Sequence, residues 1–283
     1  MTALRLGTRG STLALAQTRL VADALGPDVE TRVIRTAGDA SSKPLHELGD
    51  GVFVTAIEDA LRAGEIDVAV HSLKDLPTGD RPGLVVAAVL RREDPRDVLI
   101  TSARGGLATV PHGARVGTSS PRRDAALRLL RPDITTAPIR GNVETRLAKV
   151  ARGEYDATVL ALAGLRRLGV TVGQDEILDL ELMLPAPGQG AIAAQCRADD
   201  RTARDRLAAI DDAPTRAATD AERELLRLIG GTCDLALGAL AGASDGALVL
   251  DASMDGRRIH VRGGDPLALA RLAAAELGAV RAV

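Results

Sequence analysis

Aromatic side chains are nearly missing from this 283-residue chain: Phe53 and Tyr155 are its only two, and there is no tryptophan. That scarcity excludes stacking platforms for single-stranded nucleic acid and aromatic cages for quaternary amines. Cysteine is equally scarce. Cys196 and Cys233 are too few for a disulfide scaffold, and with four scattered histidines they form no zinc pattern, so no metal is expected. Neither charge dominates: 36 basic against 38 acidic residues leave a net −2, and no global field recruits nucleic acid or anionic membrane. Long apolar runs are missing too. Leu84 to Leu90 is the longest, far short of the roughly 20 residues that span a bilayer. The opening stretch MTALRLGTRG has no apolar signal core. A cytoplasmic, soluble protein is the expectation.

What is present is a chain 46% hydrophobic, enough for a core and long enough for two or three domains. Positive charge is carried almost wholly by arginine, with lysine only at positions 43, 74 and 149. A GC-rich genome explains that blandly, but arginine is also the residue that clamps carboxylates bidentately. Short apolar runs alternate with helical patterns: strands at 3–7, 30–36, 66–71, 84–90, 97–101, 115–117, 134–139 and 157–161, helices at 11–25, 53–63, 120–130, 142–151 and through Leu168. Such alternation predicts βαβ units in mostly parallel sheets, an α/β fold. The pattern breaks at Arg91–Pro95 and again at Leu184–Gly190 (LPAPGQG), where a Pro/Gly run reads as a hinge. Residues 213–283 read as a small α+β unit, with a helix over 221–229, three short strands and a helix from Pro266 to Leu277.

Three strand-to-helix turns share a design. Thr8-Arg9-Gly10-Ser11, Thr118-Ser119-Ser120-Pro121-Arg122-Arg123 and Arg140-Gly141-Asn142 each set Ser or Asn at a candidate N-cap with arginine close by. A helix N-terminus presents unpaired N–H groups and the positive end of a dipole, so each can receive an anion. Any one alone reads better as a capped helix with a solvated arginine. Three together point to a ligand with several carboxylates or phosphates. None has the spacing of a nucleotide-binding loop.

The segment His71-Ser72-Leu73-Lys74-Asp75-Leu76-Pro77 follows the apolar strand 66–71, at a strand end where function concentrates. Asp75 is a candidate general acid or base beside Lys74; a polar turn closed by Pro77 is an equal reading. Cys233 follows a Gly-Gly turn that leaves its thiol little cover, while Cys196 lies in an apolar run and reads as core. Without more, Cys233 too reads as inert. A Cys–His hydrolase using His71 lacks an orienting pair or nucleophile signature.

Taken together, RLGTRGSTLALAQ (5–17), HSLKDLP (71–77), VGTSSPRR (116–123), RGNVETRL (140–147), LALAGLRRLG (160–169), LPAPGQGAIAAQC (184–196) and GGTCDLALGALA (230–241) resemble the porphobilinogen deaminase family, in order. The resemblance implies two periplasmic-binding-protein-like (type II) α/β domains, 1–92 with 191–210 and 96–187, and a C-terminal α+β domain, 213–283. It implies a monomer that joins four porphobilinogen molecules head to tail with release of ammonia. The reaction runs on a dipyrromethane cofactor held by a thioether, whose cysteine matches Cys233. The family's catalytic aspartate matches Asp75. Its cofactor-binding residues match Ser72, Lys74, Ser119, Arg122, Arg123, Arg140 and Arg146, and its substrate-binding residues Arg9, Ser11, Arg140, Arg146 and Arg167.

The chemistry is consistent with that resemblance. Pyrroles bearing acetate and propionate suit arginine forks and helix N-termini without aromatic rings. The sequence departs from the family at Gly49-Asp50-Gly51-Val52-Phe53, where the family commonly has GGKGLF, and at Thr55, where lysine is common. The competing reading is a binding module of the periplasmic-receptor kind for a carboxylated ligand, which would need neither Asp75 nor Cys233.

Overall fold

A computed structural model describes residues 3–36, 54–231 and 235–278. The departures at 49–53 and Cys233 itself lie outside the described residues. In chain order the elements are β1 Leu4–Thr8, α1 Thr12–Leu25, β2 Val29–Val33, α2 Thr55–Arg62, β3 Val68–Ser72, β4 Leu84–Val89, β5 Asp97–Thr101, β6 Arg115–Gly117, α3 Pro121–Leu130 and β7 Thr135–Ala137. Then come α4 Val143–Ala151, β8 Ala157–Ala161, α5 Leu162–Arg167, β9 Ile192–Arg197, α6 Arg201–Ala208, α7 Ala213–Leu228, β10 Gly238–Ser244, β11 Ala247–Met254, β12 Arg257–Gly263 and α8 Pro266–Glu276. The chain forms two compact units, residues 1–92 with 191–217, and residues 93–190 with 218–283. Among the described residues no helix is long and apolar enough to cross a membrane.

The first unit is built on a five-stranded sheet in the order β2-β1-β3-β9-β4. Strands β1, β2 and β3 run parallel, whereas β9 is antiparallel to both its neighbours. The sheet is therefore mixed where a mostly parallel one was expected. The cause is β9, which by sequence is only an apolar run. It is rich in alanine, a poor strand former, and is a strand because its long-range partners β3 and β4 flank it. Leu4, Leu6, Val68, Val70, Ile192 and Cys196 pack one face against Val21 of α1 and Leu207 of α6. Ala69 packs on the other face with Ile57 and Leu61 of α2. Both faces are covered, as a largely apolar sheet requires. Gly7 is needed for this closeness, since a Cβ there would drive into Ile66.

In the second unit a four-stranded sheet runs β5-β8-β6-β7, with β7, β6 and β8 parallel and β5 antiparallel to β8. Leu99, Val116, Leu127 and Val159 fill one side, and Val98, Ile100, Leu160 and Leu165 the other. The antiparallel sheet β10-β11-β12 turns through Asp245-Gly246 and Asp255-Gly256, with all four residues at positive φ. That is the geometry two-residue hairpins demand. Its inner face packs on α8 and on Ala218, Ala221 and Leu225 of α7.

Helix α7 starts at Ala213, eight residues before the expected Ala221. Asp212 caps it, accepting from Thr215 N at 2.9 Å, and Pro214 falls in the first turn, where a missing N–H costs nothing.

Candidate functional site

In the first unit the loops that leave β1 and β3 emerge at one end of the sheet, because the strands are parallel neighbours with Gly7 opposite Ala69. Register thus sets Arg9 and Ser11 at the same sheet end as Ser72, Lys74 and Asp75. Ser11 caps α1 as expected, its Oγ accepting from Ala14 N at 3.3 Å. Leu73–Asp75 is a single 3-10 turn anchored by the buried Leu73 and Leu76. This anchoring leaves Lys74 half-buried and Asp75 exposed. A carboxylate on a rigid turn, held by apolar neighbours and open to solvent, can exchange protons with a small molecule.

Ser72 is not left to solvent. Gln17 of α1, which sequence reasoning missed, donates from Nε2 to Ser72 Oγ at 2.8 Å. His71 is buried, and burial pushes its imidazole down to about 4, so it is neutral near pH 7. An imidazole of such low basicity is a poor activator of a nucleophile, which disfavours the hydrolase reading. Cys196 is fully buried on β9, and burial pushes its thiol up to about 11. It is an inert core residue.

In the second unit the three parallel strands β6, β7 and β8 deliver their following loops to one end of the sheet. Ser119, Arg122 and Arg123 follow β6; Arg140 and Arg146 follow β7; Arg167 ends the helix after β8. Ser120 caps α3, accepting from Arg123 N, with Pro121 at the first helical position. Ser119 Oγ donates to Ile139 O at 2.9 Å and accepts from Ile139 N at 3.1 Å, which stitches the first two loops together. Gly141 sits at φ 109°, and Arg146 Nε donates to its carbonyl at 2.8 Å. A side chain at 141 would be strained in φ and would press on Thr145.

The arginines do not all stand as open forks. Arg122 and Arg123 are buried, and both pair with Asp97. Arg167 donates to Gly190 O at 2.6 Å, and burial pulls its guanidinium down to about 10. Donor capacity nevertheless remains: Arg122 Nε, Arg123 Nε and Arg140 Nη1 are buried without a hydrogen-bond acceptor among the described residues. Asn142 stands at the N-cap of α4 but makes no side-chain capping bond there. Three unsatisfied guanidinium N–H groups, on the loops that carry Ser119 and the capped start of α3, suit a ligand carrying carboxylates. Asp97 and Gln189 were also missed. The available signals were a carboxylate as the first residue of an otherwise apolar strand, and a lone amide between two glycines.

The segment that bears Cys233 follows α7, beyond whose last residue Gly230 turns at φ +70° and Gly231 N donates to Leu226 O at 3.0 Å.

Comparison with known proteins supplies a family. A family model described as "Porphobilinogen deaminase, dipyromethane cofactor binding domain" matches residues 4–205. Porphobilinogen deaminase of Acidothermus cellulolyticus is 52% identical over 261 residues, covering 89% of this chain and 79% of that protein. That of Nocardia farcinica is 49% identical over 276 residues, covering 94% and 79%. That of Roseiflexus castenholzii is 47% identical over 288 residues, covering 97% and 95%. Among solved structures, a periplasmic binding protein from Brucella ovis aligns with 81% of this chain and 70% of its own, at 18% identity and a TM-score of 0.40.

Proposed function

This chain belongs to the porphobilinogen deaminase family, and we propose that the residues described above carry that activity. The protein is a transferase of tetrapyrrole biosynthesis. It condenses four porphobilinogen molecules head to tail into the linear hydroxymethylbilane and releases one ammonia per molecule joined, on a dipyrromethane cofactor. At each step the aminomethyl C–N bond breaks, and the nitrogen leaves with the electron pair and takes up a proton. A C–C bond then forms to the free α-carbon of a second pyrrole, which loses its proton, and one water supplies the hydroxyl of the released product.

Asp75 handles those protons. Its carboxylic acid protonates the departing amine, and the resulting carboxylate stabilises the cation left on the substrate and accepts the α-proton. Its exposed position on an anchored turn supports this role. Arg9 and Ser11, at the same sheet end, serve the substrate's carboxylates, as do Arg140 and Arg146, and Lys74 beside Asp75 sets the local charge.

The buried N–H groups of Arg122, Arg123 and Arg140 are the observation that best supports the cofactor assignment, since an acidic pyrrole pair supplies the acceptors they lack. Ser119 and Arg146 complete that set, with Ser72 and Lys74 from the first unit. Arg167, held on Gly190, serves the substrate. The dipyrromethane, when bound, supplies the pyrrole carbon on which the chain is started. Cys233 holds it through a thioether, carried by a domain of residues 213–283; the two α/β domains are 1–92 with 191–210, and 96–187. The reading extends to a cytoplasmic monomer.

Intact mass of the denatured protein tests this reading. Wild type should exceed its sequence mass by two linked pyrrole units, Cys233→Ala should not, and Cys196→Ala should keep the addition. An active wild type without added mass overturns it.

A further inference from the structure

Asp97 opens β5 with no exposed surface, and no step of the reaction above uses it. Its Oδ2 lies 2.8 Å from Arg122 Nη2, while Oδ1 accepts from Arg123 Nη2 at 2.7 Å and from Gln189 Nε2 at 2.9 Å. Each arginine places its other terminal nitrogen on a carbonyl, Arg122 on Leu184 at 2.6 Å and Arg123 on Val159 at 2.8 Å. Both fork planes are fixed by two contacts, and the Nε of each is left buried without an acceptor. Gln189 also donates to Pro95 O at 2.7 Å, which ties the Pro/Gly segment to the same carboxylate.

Two guanidiniums side by side and out of water repel each other. Burial lowers the proton affinity of Arg122, Asp97 raises it and Arg123 lowers it further. One carboxylate between the two arginines turns an untenable pair of buried charges into a cluster with a single net positive charge. An anion arriving at the capped start of α3 meets that one charge, from forks that are already oriented.

We propose that Asp97 is a positioning residue that sets the orientation and net charge of the Arg122–Arg123 pair, and so governs how that pair receives the carboxylates of the pyrrole chain; this rests on the function assigned above. Losing the carboxylate's charge leaves two adjacent cations, which must separate. The acidic ligand then meets forks that point elsewhere. Were Asp97 only a structural ion, its loss would lower stability and leave ligand handling per folded molecule unchanged.

The test compares wild type with Asp97→Asn and Asp97→Glu. Denatured intact mass reads the fraction carrying two linked pyrroles. Thermal unfolding followed by circular dichroism reads the folded fraction, and turnover of porphobilinogen across a sodium chloride series reads KM and kcat per loaded molecule. Asp97→Asn, while folded, should load less than half of the protein, and the loaded part should show a KM raised about fivefold or more with a changed salt dependence. Asp97→Glu should recover part of the loading. Wild-type loading and KM in Asp97→Asn, with only the melting temperature lowered, overturns the proposal. Should Asp97→Asn fail to fold, Gln189→Met removes one donor and spares the ion cluster. A KM raised about twofold at unchanged melting supports the proposal, and an unchanged KM overturns it. A wild type with neither added mass nor turnover overturns the functional reading and this proposal together, and is told apart by appearing before any variant is made.

Discussion

Gln17 and Ser72 hold each other in both directions: Gln17 Nε2 lies 2.8 Å from Ser72 Oγ, and that hydroxyl lies 3.1 Å from Gln17 Oε1. One amide thus meets both the donor and the acceptor capacity of one hydroxyl. The pair ties α1, which begins at the Arg9–Ser11 turn, to the strand that ends in the Asp75 turn.

Gln17→Leu should cost about 1 kcal/mol of stability, the usual net worth of an intramolecular hydrogen bond. Urea unfolding would measure it. Activity should fall as well, by a few fold, because Ser72 then turns freely. Equal denaturation midpoints for variant and wild type would show that the pair does not hold the two elements.

Asp75→Asn should separate activity from folding. The side chain is exposed, so stability should stay within about 0.5 kcal/mol of wild type. Removal of the acid and base group should lower kcat by about 100-fold or more. Thermal melting and porphobilinogen consumption check the two halves. Near-normal turnover would take the proton-handling role away from Asp75.

Asp67 makes stability acid-sensitive. Burial raises its carboxyl, but the hydrogen bonds from Arg5 and Arg197 outweigh burial and bring it down to about 2. A folded value below the unfolded one means its contribution is fully present above about pH 4. It is then lost as the pH falls through the folded value near 2. Unfolding free energy measured from pH 5 to pH 2 should decline more steeply for wild type than for Asp67→Asn. Parallel curves would remove Asp67 from the acid response.

Glu222 of α7 is fully buried and accepts from Gly188 N at 2.7 Å and from Ala241 N at 2.8 Å. Glu222→Gln keeps one acceptor oxygen for two donors and should destabilise by about 1–3 kcal/mol. Calorimetric melting would show it, and an unchanged profile would mean that the two N–H groups find other acceptors.

What could be read locally held up where local physics dominates. Ser11 and Ser120 are N-caps because a short hydroxyl before an apolar-periodic run satisfies otherwise orphaned N–H groups within three residues. The apolar run of 66–71 announced β3, Val68–Ser72, through its β-branched residues. Strand β9 and the long start of α7 were not legible. Alanine-rich 192–197 is a strand only between β3 and β4, each far away in the chain.

The functional residues divide along the same line. Residue type and spacing were enough to mark the arginine-bearing turns, because a cation beside a helix start is an anion receptor wherever it folds. Which arginines stay open was set by packing. Arg122 and Arg123 share Asp97 from 25 and 26 residues away, and Arg167 leans on Gly190, 23 residues on. The two scarcities noted at the outset divide likewise. So few aromatics ruled out stacking from composition alone, whereas the inertness of Cys196 was decided by burial, which seals it in a sheet with a thiol too weakly acidic to react. Burial and charge pairing depend on neighbours that the chain brings together only when it folds, and they decide which side chains remain free to meet a ligand.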